Sequence, residues 1–254
     1  MQIQGMEKNG QLLLTFDNVS PKKVTRLMVP LYGGSRNNRR GKTLPTMMEI
    51  ARIANGGLIA AFDFRGMNQG EDFLESGLHT RIEDARTNLA KLKKEYAPPE
   101  IIVVAESMGG YIGSHLTDLL GKGDTMILVA PAAYDKKVVT EKIPFGARFT
   151  EAIRREGSWQ ESDAWDNMAR FNGKLLVLQW GADEVVPREI PQMYFEAAKQ
   201  AQGKTLIMAQ NFTHKSIFGT HEDAANPNTP EFVALREIAG WLERMRLAHH
   251  STRH

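Results

Sequence analysis

Ser107 is the residue whose surroundings point most directly to chemistry. It follows a β-branched run at 101–104, and because 98–99 is a helix-breaking Pro-Pro pair, that run predicts a buried parallel strand. The segment 105–109, Ala-Glu-Ser-Met-Gly, fits the pattern small-x-Ser-x-Gly. This pattern is typical of a sharp strand-to-helix turn, in which bulky residues two positions before or after the serine would clash. We therefore predict a nucleophilic serine, with a surface serine in an ordinary turn as the alternative.

A serine nucleophile needs a base and an orienting carboxylate, because its hydroxyl group is negligibly ionised near neutral pH. Asp183 lies in a glycine turn just past a predicted strand at 175–178, and His214 lies just past the last predicted strand, at 205–209. The interval between them fits one helix, one strand and short loops, which returns both side chains to one edge of a sheet. The order Ser, Asp, His along the chain differs from the orders in chymotrypsin and subtilisin.

Other polar residues offer competing assignments. Asp135 follows the preceding predicted strand, where some hydrolases carry their acid, and His221 is a second candidate base that lies further from a strand end. The set His214, His221, Glu222 and Asp223 has the residue types of metal ligands but not the spacing of a helical or finger-like metal site. We therefore predict no metal ion.

Buried apolar runs and amphipathic stripes alternate along the chain and predict strands and helices in turn. The predicted strands are 11–16, 27–31, 58–62, 101–104, 126–130, 175–178 and 205–209, and the predicted helices are 43–54, 80–96, 108–120, 188–201 and 231–247. This alternation predicts a single α/β domain over 1–254: a doubly wound, mostly parallel sheet with helices on both faces and ligands at the carboxyl ends of the strands.

The segment 134–171 interrupts this alternation and is rich in aromatic and charged residues. We predict that it forms a short lid insertion of one or two amphipathic helices. Phe149, Trp159 and Trp165 are its candidate substrate-binding residues, because aromatic rings facing the serine would bound an acyl slot. Packing of the same rings onto the domain is the alternative.

Composition excludes several classes of protein. The 254 residues include 32 basic and 30 acidic residues, a formal net charge of +2 that provides no large electrostatic surface for nucleic acid or an acidic membrane. The absence of cysteine excludes disulfides and thiolate metal sites. No apolar run approaches the roughly 18 residues of a membrane helix, and the first residues lack the apolar core of a signal peptide. We therefore predict a cytoplasmic protein without nucleic-acid or membrane partners.

Several motifs taken together resemble the α/β-hydrolase superfamily. They are Tyr32-Gly33-Gly34, Asp-Phe-Arg-Gly-Met-Asn-Gln-Gly at 63–70, the serine motif at 105–110, the segment 181–187 and Phe212-Thr213-His214. The resemblance spans about residues 25–246 and is closest to small serine esterases of the cinnamoyl/feruloyl esterase and serine-aminopeptidase-like group. It implies Ser107 as nucleophile, Asp183 as acid and His214 as base.

The resemblance also implies an oxyanion hole built from the backbone amides of Met108 and Gly34, with Ser35 as the alternative second donor. The chain departs from the family at two places: Tyr32 stands where a histidine is usual, and 67–68 is Met-Asn where His-Gly is usual. Because the hole uses backbone amides, Tyr32 changes the hydrogen bonding of the loop without removing the hole.

This resemblance implies a carboxylesterase that needs no cofactor and cleaves a small or aromatic ester, a small-molecule substrate, through an acyl-enzyme on Ser107. Thioesterase, amidase or peptidase chemistry would use the same residues. A non-catalytic ligand-binding module is the alternative from another class. The basic residues of the loop at 36–42 either receive an anionic substrate tail or are solvated.

Overall fold

The computed structural model describes residues 3–8, 11–16, 24–34, 40–54, 57–67, 72–215 and 217–251. Eight strands in this part of the chain form one sheet. They are β1 (Ile3–Lys8), β2 (Gln11–Phe16), β3 (Leu27–Leu31), β4 (Leu58–Phe62), β5 (Ile101–Glu106), β6 (Thr125–Val129), β7 (Lys174–Trp180) and β8 (Gly203–Ala209).

Helices connect most of these strands. They are α1 (Arg40–Ile53), α2 (Asp72–Glu75), α3 (Leu78–Tyr96), α4 (Met108–Ser114), α5 (Lys137–Thr140), α6 (Ala147–Arg154), α7 (Ala164–Ala169), α8 (Glu189–Ala197), α9 (His221–Ala225) and α10 (Pro230–Ser251). Short 3₁₀ turns lie at Thr117–Leu119 and Ser158–Glu161. No helix within the described ranges is long and apolar enough to cross a membrane.

The sheet is mostly parallel, as the alternation of strands and helices predicts. Its order is β1-β2-β4-β3-β5-β6-β7-β8. The pairs β1 with β2 and β2 with β4 are antiparallel, and the remaining neighbouring pairs are parallel. Every residue of β3 to β7 is buried, which explains their continuous apolar sequences, because both faces of such strands are covered. The predicted α/β fold class is confirmed.

Pro30 lies near the carboxyl end of β3, where it limits pairing on one side. β3 pairs with β4 only at Leu27 and Met28, whereas it pairs with β5 over all of Leu27–Leu31. Proline has no N–H group to donate, so the ladder on the β4 side ends before it. The chain beyond β3 is thereby free to leave the sheet as the loop that begins at Tyr32.

The structure differs from the predicted elements mainly at their ends. α1 begins at Arg40, so Thr43 lies inside the helix rather than at its N-cap. The helix after Ser107 stops at Ser114 and continues only as a 3₁₀ turn. β1 was not predicted, because residues 3–8 lack a clear apolar alternation; it forms as the antiparallel partner of β2.

Candidate active site

Ser107 lies in the turn between β5 and α4. Its backbone torsion angles, φ 51° and ψ −118°, fall in a region that residues with a side chain rarely adopt. Three hydrogen bonds hold this turn: the Ser107 N–H donates to the Val129 carbonyl (3.0 Å), and the Ser107 carbonyl accepts from the N–H groups of Gly110 and Ala132 (2.9 Å each). The neighbouring strand β6 and the segment after it therefore fix the strained conformation.

Small residues around the serine are required by close packing. A Cβ atom on Gly109 would lie 2.1 Å from the Leu31 carbonyl oxygen, and a Cβ atom on Gly110 would lie 2.5 Å from a side-chain atom of Pro131. Ala105, two residues before the serine, packs against α4, since a Cβ atom on Gly113 would lie 3.4 Å from its Cβ. Alanine is therefore small enough at the position where the motif usually has glycine.

The structure brings Ser107, His214 and Asp183 together as one hydrogen-bonded chain. His214 Nε2 lies 3.0 Å from Ser107 Oγ, and His214 Nδ1 lies 2.7 Å from Asp183 Oδ2. The other carboxylate oxygen, Asp183 Oδ1, accepts from the backbone N–H groups of Val185 (2.8 Å) and Val186 (2.9 Å). The histidine can thus accept the serine proton on one nitrogen while the carboxylate orients the other.

Two loops at the ends of neighbouring strands position the acid and the histidine. β7 and β8 pair in parallel, so their carboxyl ends lie side by side. Beyond the strands, the N–H of Gly181 donates to the Ala209 carbonyl (2.8 Å) and the N–H of Ala182 donates to the Phe212 carbonyl (3.0 Å). These backbone bonds fasten the turn before Asp183 to the turn before His214.

Hydrogen bonding keeps the Asp183 carboxylate in its charged form. Burial acts to raise its pKa, but the hydrogen bonds from His214 and from the backbone N–H groups of Val186 and Val185 outweigh burial, so the pKa lies below its ordinary value. A carboxylate that stays ionised can stabilise the positive charge that His214 gains when it takes a proton.

Asp135, the competing acid, is occupied elsewhere. Its Oδ2 accepts from Arg155 Nη2 (2.7 Å) and its Oδ1 accepts from the Lys137 N–H (2.9 Å). Both partners belong to the segment 134–171, whereas the carboxylate bonded to His214 is that of Asp183. His221, the competing base, begins α9, and its side chain lies outside the described residues.

A second histidine and aspartate pair lies at the far end of α4. His115 Nε2 is 3.2 Å from Asp163 Oδ2, and the Tyr111 hydroxyl donates to Asp163 Oδ1 (2.7 Å). The neighbouring Ser114 is fully buried and donates its hydroxyl proton to the Tyr111 carbonyl (2.7 Å), so it is not placed to act as a nucleophile. The pair connects α4 to the start of α7.

The loop after β3 passes directly beside the serine. A Cβ atom on Gly33 would lie 3.3 Å from Ser107 Cβ and 3.7 Å from its Oγ, and a Cβ atom on Gly34 would lie 3.2 Å from Met108 Cε. The backbone of the two glycines is therefore next to Ser107 and to Met108, the first residue of α4. Ser35, the alternative second donor, lies outside the described residues.

Tyr32 anchors this loop to the neighbouring strand. Its hydroxyl group donates to the carbonyl of Phe62 at the end of β4 (2.6 Å), and its ring packs 5.4 Å from the ring of Phe64. The side chain is completely buried. The departure from the family motif at this position thus changes how the loop is held, while the two glycines after it still reach the serine.

Arg81 is a residue near the site that the sequence analysis missed. It lies on α3, is 1% exposed, and its Nη1 is 3.3 Å from the Gly33 carbonyl oxygen and 3.4 Å from Met108 Sδ. The signal that could have revealed it is its position, since Arg81 lies between Leu78 and Ile82 on the buried face of an otherwise amphipathic helix.

The three candidate substrate-binding aromatics of 134–171 make different ring contacts. Phe149 packs against Phe145 (4.9 Å between ring centres) and Tyr134 (6.1 Å). Trp165 packs against Trp159 (6.5 Å) and against Tyr194 of α8 (5.2 Å). Phe149 is buried and the two tryptophans are partly buried. Their contact with a substrate stays a prediction.

A comparison with protein-family models assigns the chain to a family that is consistent with this site. The sequence model described as the alpha/beta hydrolase family matches residues 43–245. The chain belongs to the alpha/beta hydrolase family. That family and the fold support a hydrolase, whereas the narrower resemblance to cinnamoyl and feruloyl esterases stays a prediction. A search of the curated proteins finds no match.

Several solved structures share the fold of this alpha/beta hydrolase. Thermogutta terrifontis esterase 2, phosphonylated by sarin, is 15% identical with a TM-score of 0.62, and the match covers 96% of this chain and 93% of that one. An esterase of Pyrococcus furiosus is 16% identical with a TM-score of 0.62, covering 96% and 90%. A fungal esterase structure from Rhizomucor miehei is 16% identical with a TM-score of 0.59, covering 98% and 84%. At these identities the likeness concerns the fold.

Proposed function

We propose that this alpha/beta hydrolase is a serine carboxylesterase that forms an acyl-enzyme on Ser107. The observation that carries the proposal is the hydrogen-bonded chain from Ser107 Oγ through His214 to Asp183, with distances of 3.0 and 2.7 Å. A serine in a strained turn at the carboxyl end of a central strand, with a base already in contact, has the arrangement that nucleophilic catalysis needs.

The reaction has two halves. As Ser107 Oγ bonds to the ester carbonyl carbon, its proton passes to His214 Nε2, and the carbonyl electrons move onto oxygen to form an oxyanion. When the carbonyl group re-forms, the bond to the leaving alcohol breaks and His214 protonates that alcohol. Water then repeats the sequence on the acyl-enzyme, releasing a carboxylic acid and restoring the serine hydroxyl.

The backbone N–H groups of Met108 and Gly34 are the proposed donors to the oxyanion. Support comes from the packing of the Gly33-Gly34 backbone against Ser107 and Met108. Backbone donors positioned before the reaction starts stabilise the developing charge without reorganisation, and losing one such donor typically costs about 10²–10³-fold in kcat.

We propose a preference for short or aromatic acyl groups. The segment 134–171 is short and rich in aromatic rings, which favours a small roof over Ser107 rather than a long apolar tunnel for a fatty chain. Phe149, Trp159 and Trp165 would bound the acyl slot. The esterases that share this fold support an ester as the substrate class, with thioesters and amides as substrates of the same chemistry.

The test is covalent labelling followed by turnover. Ser114, a buried serine at the end of the helix that follows Ser107, provides the matched control. The parent protein, Ser107→Ala and Ser114→Ala are each treated with a fluorophosphonate probe and assayed on p-nitrophenyl butyrate. We expect stoichiometric labelling of Ser107 with turnover in the parent and in Ser114→Ala. Ser107→Ala should lose labelling and at least about 10⁴-fold of kcat while keeping its melting temperature within a few degrees.

Two outcomes would count against the proposal. Turnover by Ser107→Ala within tenfold of the parent would remove this serine from the mechanism. Labelling of the parent with no turnover across a series of esters, thioesters and amides would favour the ligand-binding module. The phosphonylation of the Thermogutta esterase by sarin is the reason for choosing an organophosphonate as the probe.

A further inference from the structure

Arg81 places a buried cation against the loop that carries Gly34. It lies in the first turn of α3 and is 1% exposed. Its guanidinium lies 4.6 Å from the ring centre of Phe145 and 5.3 Å from that of Phe64. Because removing a charge from water is costly, charged side chains are rarely buried to this extent, and this one invites a functional explanation.

The guanidinium remains charged at neutral pH. Burial lowers the pKa of Arg81 to about 10, because desolvation outweighs the opposing influence of Tyr32, Tyr134 and Asp84. A charged donor makes stronger hydrogen bonds than a neutral one, and a low-dielectric surrounding strengthens them further.

One guanidinium nitrogen contacts both segments of the proposed oxyanion hole, through the backbone of Gly33 and the side chain of Met108. Arg81 Nη1 donates to the Gly33 carbonyl oxygen (3.3 Å) and lies 3.4 Å from Met108 Sδ. Gly33 precedes one proposed donor, and Met108 carries the other. Arg81 therefore contacts the loop that leads to one proposed donor and the side chain of the residue that carries the other, while Ser107 lies beside the same glycines.

The geometry of the peptide bond links the Arg81 contact to the donor. The Gly33 carbonyl and the Gly34 N–H belong to one planar peptide group, which is trans. The two bonds of such a group point in opposite directions, so a contact that fixes the carbonyl also fixes the N–H. Two successive glycines have unusual conformational freedom, so the peptide group between them can flip unless a neighbouring group holds its orientation.

We propose that Arg81 is a positioning residue that holds the Gly33–Gly34 peptide in the orientation in which the Gly34 N–H donates to the oxyanion. This inference rests on the proposed esterase function and adds a residue to it. Arg81 acts through the peptide and does not touch the substrate.

The proposed role predicts a particular kinetic signature. A donor to the oxyanion interacts with the transition state far more strongly than with the bound ester, so losing its orientation lowers kcat and leaves KM nearly unchanged. We expect Arg81→Met to lower kcat about 10- to 100-fold, somewhat less than removal of the donor itself. Methionine suits the apolar surroundings of Phe64 and Phe145 and removes only the charge and the hydrogen bonds.

The experiment measures kcat and KM on p-nitrophenyl butyrate together with the Kd of trifluoromethyl propyl ketone. This ketone adds reversibly to a serine: the Oγ–C bond forms, the serine proton passes to the histidine, and the ketone oxygen becomes an oxyanion. In Arg81→Met the Kd should rise by the same factor by which kcat falls, because both report the stabilisation of an oxyanion. Arg81→Lys, which keeps the charge, should lie between the parent and Arg81→Met.

Arg86→Met is the matched control. Arg86 lies on the same helix but donates to the carboxylate of Asp118, away from the loop. It should behave like the parent in kcat, in KM and in affinity for the ketone. Thermal unfolding of all variants separates loss of fold from loss of orientation.

The outcomes divide clearly. A kcat of Arg81→Met within threefold of the parent, a change confined to KM, or an unchanged ketone affinity would overturn the role of Arg81. If Arg81→Met does not fold, Arg81→Lys decides: parallel losses in kcat and ketone affinity support the proposal, and a variant within twofold of the parent in both overturns it. A parent protein that neither turns over nor is labelled at Ser107 would instead show that the esterase proposal, and this inference with it, is wrong.

Discussion

Two regions that bear on the proposed function are held in different ways. The strand-end edge, meaning Ser107, Asp183 and His214 with their turns, is fixed by backbone hydrogen bonds to the parallel strands β6, β7 and β8. The predicted insertion, residues 134–171, is held mostly by side chains: aromatic packing, the ion pair of Asp135 with Arg155, and the contact of Asp163 with His115. A backbone hydrogen bond from the Phe145 N–H to the Ser76 carbonyl (2.8 Å) adds to these contacts.

This difference separates two kinds of control. A backbone anchored to a central sheet holds reacting atoms to within tenths of an ångström, which acid–base catalysis requires. Side-chain packing tolerates substitution more readily, which suits a surface that selects among acyl groups. Substitutions at the strand-end edge should therefore change the rate of the chemistry, and those in the insertion should change specificity.

The largest expected effect compares one carboxylate from each region. Asp183→Asn should lower kcat by about 10³–10⁴-fold, because the amide cannot stabilise the imidazolium and favours the wrong tautomer of His214. Asp135→Asn should lower kcat less than tenfold, since the Arg155 side chain that loses its partner is 61% exposed and can be solvated. Steady-state kinetics on p-nitrophenyl butyrate test both, and reversed effects would assign the acid to Asp135.

The next effect concerns the aromatic rings of the insertion. Phe149→Ala should lower kcat/KM for an aryl ester about two- to tenfold, because ring contacts contribute about 0.5–1.5 kcal/mol beyond area burial. Trp159→Ala and Trp165→Ala should lower kcat/KM by a smaller factor. Trp165 packs against Tyr194 of α8, whereas Phe149 packs against Phe145, whose ring contacts the Arg81 guanidinium beside the loop of Gly33.

The measurement is kcat/KM for p-nitrophenyl acetate, butyrate, octanoate and palmitate, and for methyl ferulate against its saturated alkyl counterpart. The parent should favour the short and aromatic esters. Each buried methylene could contribute about 0.8 kcal/mol in an open groove, so a steady climb to palmitate, unchanged in the three alanine variants, would contradict a small aromatic roof.

The smallest effect is on stability at acidic pH. The pKa of Asp183 in the folded protein lies below its unfolded value of about 3.9, so its ionised form stabilises the fold above that value. This contribution is lost as the pH falls through the folded-state pKa. The difference in unfolding free energy between the parent and Asp183→Asn should therefore shrink as the pH falls from about 5 to below the unfolded value of about 3.9. Urea titrations at several pH values measure it, and a constant difference would exclude a depressed pKa.

Much of the fold could be predicted, because buried strands and helices require apolar residues at regular positions in the sequence. Strands β2 to β8 coincide with apolar runs, and the helices α1, α3, α8 and α10 coincide with the predicted helices to within a few residues. The short helices α5, α6 and α7 could not be located, since their stability comes from packing rather than from sequence periodicity.

The candidate site also contains residues that the sequence could identify and one that it could not. Ser107, Asp183 and His214 could be selected because each follows a predictable strand and because parallel strands bring their carboxyl ends together. Arg81 could not be selected, since the Gly33 carbonyl it contacts is 48 residues away in sequence. The position of Arg81 among the apolar residues of α3 indicates burial but does not indicate which groups the guanidinium contacts.

The sequence by itself determined the α/β class and the order of the candidate residues along the chain, because both depend on local patterns and on the turn chemistry at strand ends. Only the tertiary structure decided which carboxylate bonds to His214, which residue supports the loop of Gly33 and Gly34, and which rings of the insertion contact one another. These are contacts between residues distant in sequence, and their partners are chosen by the packing of the whole sheet and its helices.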